Sequence, residues 1–142
     1  MKLILTFIFI FVIISSVYSS KEDFYNVLDD IVEILQRIRV LCVQDMNPTF
    51  VDYHECFIDE YKNHLIGISS TIENNKNLFI GNVAINKIFD IIEFEIYNIL
   101  HMENNEINSS DVLRKIDIML ELIISVFIIK EYEELMYDNN LQ

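Results

Sequence analysis

The sequence predicts an all-α protein, a compact antiparallel bundle of about four helices with one disulfide between the first two helices. Three observations predict this fold. Only two glycines and one proline occur in 142 residues, which leaves few positions where a helix must break. Apolar residues recur at helical intervals in four separate segments. Two cysteines, Cys42 and Cys56, lie on either side of the first predicted turn.

The first residues of the chain predict export from the cell. Lys2 precedes a run over residues 3–14 that is apolar apart from Thr6, and Val17 and Ser19 stand at positions −3 and −1 of a cleavage site. This order is typical of a secretory signal peptide, here residues 1–19. A membrane anchor is the alternative, but it needs about 20 apolar residues. We therefore expect a secreted, extracellular protein.

Residues 20–142 are expected to form a single helical domain, which is long enough to bury a core. The net charge is −13, and it becomes −14 once Lys2 leaves with the signal peptide. Phosphate groups would repel such a surface, so neither a nucleic acid nor an anionic membrane is an expected partner. A basic protein partner fits this charge, and solubility alone is the other explanation for it.

The first predicted helix spans residues 21–43. Ser20 followed by Asp23 resembles a capping box, with Asp in the place of Glu or Gln. The helix must end before Pro48, because proline disfavours the α conformation at Asn47. Its apolar stripe consists of Phe24, Leu28, Ile31, Leu35, Ile38 and Cys42.

The second predicted helix begins at Thr49, with Asp52 three residues later, and ends in the polar run 74–77. Its stripe consists of Phe50, Tyr53, Phe57, Tyr61, Leu65 and Ile68.

The third predicted helix spans residues 83–102, with inward residues Ile85, Ile88, Phe89, Ile92, Ile96, Ile99 and Leu100. A polar line runs along it through Asp90, Glu93, Tyr97 and His101. An acid, a phenol and an imidazole on one face can share protons, but every amphipathic helix also needs a solvated face.

The fourth predicted helix spans residues 110–137. Residues 116–129 are apolar apart from Asp117, Glu121 and Ser125, a stretch too short and too charged to span a bilayer. Because it is apolar on nearly all sides, we expect it to be the most buried helix. Short connections favour an antiparallel bundle, and a less regular orthogonal packing is the alternative.

The two cysteines are expected to form a disulfide, because cysteine pairs normally bond in an oxidising compartment. Antiparallel helices joined near Pro48 can bring the Cα atoms of Cys42 and Cys56 to about 5.5 Å. Closing a loop of about 15 residues would stabilise the fold by about 3 kcal/mol. Free thiols and an intermolecular bridge are the alternatives. His54, Cys56 and His64 lack zinc-ligand spacing, so no metal and no cofactor are expected.

Two further groups of residues suggest sites. Asn108-Ser109-Ser110 is a possible glycosylation sequence, and Asn108 is also suited to cap the fourth helix. Tyrosine side chains are enriched in recognition surfaces, and they are equally common as half-buried residues of a helical bundle. The predicted partner-binding residues are Glu131, Tyr132, Glu133, Glu134 and Tyr137.

Cys42 at a helix end, followed by Tyr53-His54-Glu55-Cys56 at the start of the next helix, resembles the cysteine–tyrosine–cysteine element of secreted effector proteins from gall-forming and sap-feeding insects. The resemblance covers residues 42–56, and nothing after Cys56 supplies the second such element of typical members. It implies a signal peptide and an action on host tissue.

Taken together, these observations predict a secreted effector or cytokine-like protein that binds a host or extracellular protein without catalysis. The alternative is an extracellular carrier that holds a small apolar ligand within the bundle, lined by Phe57, Phe89, Ile92, Met119 and Phe127. An enzyme that uses the line Glu93–Tyr97–His101 is a third class, and no catalytic motif supports it.

Overall fold

Helices make up most of the protein. The computed structural model describes the backbone of residues 2–140 and the side chains of residues 21–140. The α-helices are α1 (Lys2–Asp45), α2 (His54–Asn74), α3 (Val83–Leu100) and α4 (Ser109–Asn140). Short 3₁₀ segments lie at Pro48–Tyr53, Lys76–Leu78 and Asn104–Glu106, and residues 2–140 contain no strand. The predicted all-α class is confirmed.

Helix α1 begins earlier than the sequence predicts. The cap expected at Ser20 is wrong, because the backbone is helical from Lys2 through Asp45. No glycine or proline lies in that range to interrupt it. The predicted signal peptide, residues 1–19, lies outside the residues whose side chains are described and stays a prediction.

Helix α2 begins later than predicted, at His54 instead of Thr49. The Asn47 side chain accepts a hydrogen bond from the Thr49 amide at 3.0 Å and starts a 3₁₀ segment, as Asn commonly does before a helical turn. This segment takes Phe50 and Tyr53 away from the α2 stripe, and they are 39% and 58% exposed.

Asparagine side chains cap the other two helices. Asn82 accepts from the amides of Ala84 and Ile85 at 2.8 and 3.0 Å and begins α3. Asn108 accepts from the amide of Ser110 at 2.9 Å and begins α4. Each cap satisfies amides that have no partner within the helix, so the capping role predicted for Asn108 is confirmed.

The four helices form an antiparallel ring in which α1 packs on α2 and α4, and α3 packs on the same two. Contacts between side chains fix the direction of α4 against α1: Lys21 pairs with Glu134, and Arg39 pairs with Asp117. Burial of one stripe per helix at the centre of the ring is the packing expected of a four-helix bundle.

All six residues of the predicted α1 stripe are buried. The predicted α2 stripe is buried from Tyr61 onward. The predicted α3 stripe is buried except for Ile88 and Leu100, which are partly covered. The prediction that the last helix is the most buried is wrong. Its inward stripe is buried, but Ile124, Ile128 and Leu135 are 56%, 62% and 62% exposed.

The predicted disulfide between the first two helices is also wrong. Both cysteines are free: Cys42 is fully buried in the core stripe of α1, whereas Cys56 is exposed on α2. The buried stripe of α2 begins at Ile58. Two residues along a helix turn a side chain by about 200°, so Cys56 points away from the core that surrounds Cys42. Burial raises the pKa of the Cys42 thiol to about 12, with Asp45 and Asp117 acting in the same direction.

Ile96 should contribute much more to the stability of the fold than Ile128, because Ile96 is fully buried and Ile128 is 62% exposed. We expect Ile96→Ala to lower the free energy of unfolding by about 2–5 kcal/mol. The matched change Ile128→Ala should alter it by less than about 0.5 kcal/mol. Urea unfolding followed by circular dichroism measures both, and equal losses would contradict the placement of the core.

The thiols should differ in reactivity, since only a thiolate reacts readily. In the folded protein at neutral pH and without reductant, iodoacetamide should modify Cys56 and leave Cys42 unmodified. Both should react once the chain is unfolded in urea, still without reductant. Mass spectrometry of tryptic peptides distinguishes the two sites. Unfolded protein that stays unmodified until a reductant is added would contradict the free thiols.

Candidate functional site

The predicted partner-binding residues lie on the last three turns of α4, and the structure divides them into two groups. Tyr132 and Tyr137 are 63% and 68% exposed, and Glu131 is exposed beside them. Glu133 and Glu134 instead make contacts with other helices. The first group is therefore the more available to a partner, and Glu133 is also exposed although it contacts Asn82.

Glu134 links α4 to α1. Its carboxylate lies 2.7 Å from Lys21 Nζ and accepts a hydrogen bond from the Tyr25 hydroxyl at 3.3 Å. The bond to Glu134 raises the pKa of Lys21. The pKa of Tyr25 is raised by burial first and then by the charge of Glu134. These contacts hold the two helices in register.

Glu133 links α4 to α3. It accepts a hydrogen bond from the side-chain amide of Asn82, the residue whose oxygen caps α3, and its carboxylate lies 3.9 Å from Lys130 Nζ. A charge change at Glu133 would therefore disturb a helix cap as well as the surface.

The structure adds an apolar stripe that the sequence analysis missed. Ile124, Ile128 and Leu135 follow one another at helical spacing on the outer side of α4, with Tyr132 next to them, and each is more than half exposed. The inward side of the helix is already filled by Val112, Ile116, Met119, Ile123 and Val126. We call Ile124, Ile128, Glu131, Tyr132 and Leu135 the α4 surface.

Acidic residues dominate the charge around the α4 surface. Glu121 is exposed one turn before Ile124–Ser125, and Glu131 stands within the stripe. The nearest lysine in the sequence, Lys130, turns toward the core side, where its Nζ lies 5.2 Å from the centre of the Phe24 ring. Four large side chains that are each more than half exposed therefore lie next to one another on this helix, and contiguous exposed apolar patches are often interaction sites.

A polar cluster joins three helices at the other end of α4. The Asp45 carboxylate, only 1% exposed, accepts a hydrogen bond from the Ser109 hydroxyl and contacts His54 Nδ1 at 2.7 Å. Asp45 therefore lies between the hydroxyl and the imidazole. A nucleophilic serine needs the imidazole next to its hydroxyl, so this arrangement fits a structural link.

The polar line on α3 also divides. The Tyr97 and His101 rings stack with centroids 3.8 Å apart, and His101 Nδ1 lies 2.9 Å from the Tyr97 carbonyl oxygen. Asp90 and Glu93 lie toward α2, where they border a surface groove. Within the described residues, no group of three or more His, Cys, Asp or Glu side chains is arranged to hold a metal ion.

The residues expected to line an apolar ligand cavity are occupied by contacts with other side chains. Ile92 and Met119 are fully buried in the core. The rings of Phe89, Phe127 and Phe57 pack against Phe79, Tyr25 and Phe50, with centroids 4.2, 5.8 and 6.2 Å apart. These contacts favour a filled core over a ligand held inside the bundle.

Comparisons with known proteins give no match to any family model, to any curated protein or to any solved structure. Among the described residues, no helix has the length and apolar character needed to cross a membrane. Function must therefore be argued from the surface of the molecule.

Proposed function

We propose that this protein is secreted and acts by binding a basic protein of a host or of the extracellular space through the α4 surface, without turnover of a substrate. The observation that carries the proposal is the apolar stripe Ile124–Ile128–Leu135, exposed on a folded domain with a net charge of −13. Export is supported by the sequence of residues 1–19.

Charge and apolar contact would have different tasks in this interaction. The acidic field would speed the encounter with a basic partner, an effect that salt weakens because the Debye length is about 8 Å at 0.15 M. Affinity would come from the desolvated side chains Ile128 and Tyr132, since a few central anchors supply most of the binding energy of an interface. A charged surface that serves solubility alone does not require this stripe.

The proposal is tested by capture from host tissue extract with immobilised protein, with the wild type compared with the double variant Ile124→Asn/Ile128→Asn. The control is Ile66→Asn, which changes an equally apolar side chain that is 53% exposed on α2. We expect the double variant to lose at least about tenfold in affinity, as for loss of an interface anchor, and the control to retain binding.

The captured protein should then be studied by surface plasmon resonance across a salt series. Glu131→Lys should slow association, and the difference from wild type should shrink as salt rises. Glu131 is preferred to Glu133 and Glu134 for this change, because its reversal leaves the contacts with Asn82 and Lys21 intact. Equal loss in the Ile66 control, or rates unaffected by both salt and Glu131→Lys, would contradict the proposal.

A further inference from the structure

A groove lies on the surface between the end of α2 and the first half of α3. Its volume is about 350 Å³, and it is bordered by Ile72, Lys76 and Phe79 on one side and by Phe89, Asp90 and Glu93 on the other. Glu93 faces the α2 side of α3, whereas Glu95 pairs with Lys115 of α4. The groove is thus separate from the α4 surface, and the inference below does not depend on the proposed function.

The floor of the groove is formed by packed apolar side chains. The Phe79 and Phe89 rings stack with centroids 4.2 Å apart, and Phe79 also packs edge-to-face on Phe24 at 5.6 Å. Ile72 is 1% exposed beneath them, and Ile80, which is 71% exposed, forms an apolar wall. Phe79 and Phe89 are only 2% and 3% exposed, so Ile80 supplies most of the apolar surface that a ligand here would cover.

The rim of the groove carries more negative than positive charge. Lys76 is its one cation among the lining residues, and the Lys76 amino group pairs with Glu73. Within residues 21–140, neither Asp90 nor Glu93 forms a salt bridge of its own. Burial raises the pKa of Glu93, and Glu73 and Asp90 raise it further against the opposing effect of Lys76. The carboxylates would therefore gain from a second cation.

We propose that this groove binds a small organic cation, a primary amine carried on an aromatic or aliphatic body. The ammonium group would lie between the carboxylates of Asp90 and Glu93, and the body would cover Ile80 above the nearly buried Phe79 and Phe89 rings. Anions are repelled by the rim, and a neutral apolar molecule leaves both carboxylates without a partner. The volume is at the lower end of the range for small-molecule sites, about 300–1,000 Å³.

The probes are 2-phenylethylamine, its neutral counterpart 2-phenylethanol and the anionic 3-phenylpropionate, titrated into the ¹⁵N-labelled protein and followed by NMR. We expect the amine to shift the amides of residues 76–80 and 86–93 saturably, about three- to fivefold more tightly than the alcohol. This ratio corresponds to one partly exposed ion pair. The propionate should not saturate.

Three variants locate the cation. Asp90→Asn/Glu93→Gln should reduce amine affinity to that of the alcohol, and Lys76→Gln should raise it about two- to threefold by removing a competing charge. Glu55→Gln, an exposed acid at the start of α2, is the control and should change nothing. Each variant is compared with wild type by circular dichroism. Equal binding of amine and alcohol, shifts outside the groove, or no loss in the double variant would overturn the proposal.

Discussion

The rest of the structure depends on one geometric constraint: each helix of a four-helix bundle can bury only the side that faces the centre of the bundle. In α1 most apolar residues match that side, so a stripe from Phe24 to Cys42 is covered, and only Val40 and Val43 among the described apolar residues of this helix are more than half exposed. Helix α4 has more apolar residues than its inward side can hold. Once Val112, Ile116 and Ile123 fill the inward stripe, Ile124 and Ile128 have no place except the surface. A contiguous run of exposed apolar side chains gains free energy when a partner removes it from water.

The same constraint explains what the sequence could predict. The α1 stripe was predicted correctly because polar residues separate its apolar positions and give the periodicity a direction. In α4 the apolar residues lie on all sides, so periodicity could not distinguish the inner side from the outer one. The disulfide prediction was wrong for a related reason. Cys42 belongs to the buried α1 stripe, but Cys56 stands two residues before Ile58 and lies outside the buried α2 stripe. The number of cysteines in a sequence does not show in which direction each side chain points. The 3₁₀ segment before α2, which is capped by Asn47, was also not predicted, because the sequence pattern placed the start of the helix at Thr49.

Position in the bundle also decides which acidic residues are available to a partner. Glu133 and Glu134 look equivalent to Glu131 in the sequence, yet they connect α4 to α3 and to α1. At the groove, Lys76 is held by Glu73, and the neighbouring Asp90 and Glu93 keep their negative charge available. The large net charge is thus divided between acids that hold helices together and acids that face solvent beside apolar side chains. Such acidic and apolar neighbours can recognise a basic partner more specifically than charge alone.

The central claim is that the partner covers the α4 surface, and site-specific photo-crosslinking tests it most directly. p-Benzoylphenylalanine would replace Leu135 on α4 in one protein and Glu33 on the outer side of α1 in another, since both side chains are more than 60% exposed. After irradiation in host tissue extract, the protein labelled at position 135 should form one dominant adduct that diminishes as salt rises. The protein labelled at position 33 should form none. Equal adducts from both positions, or an adduct from position 33 alone, would contradict binding through α4.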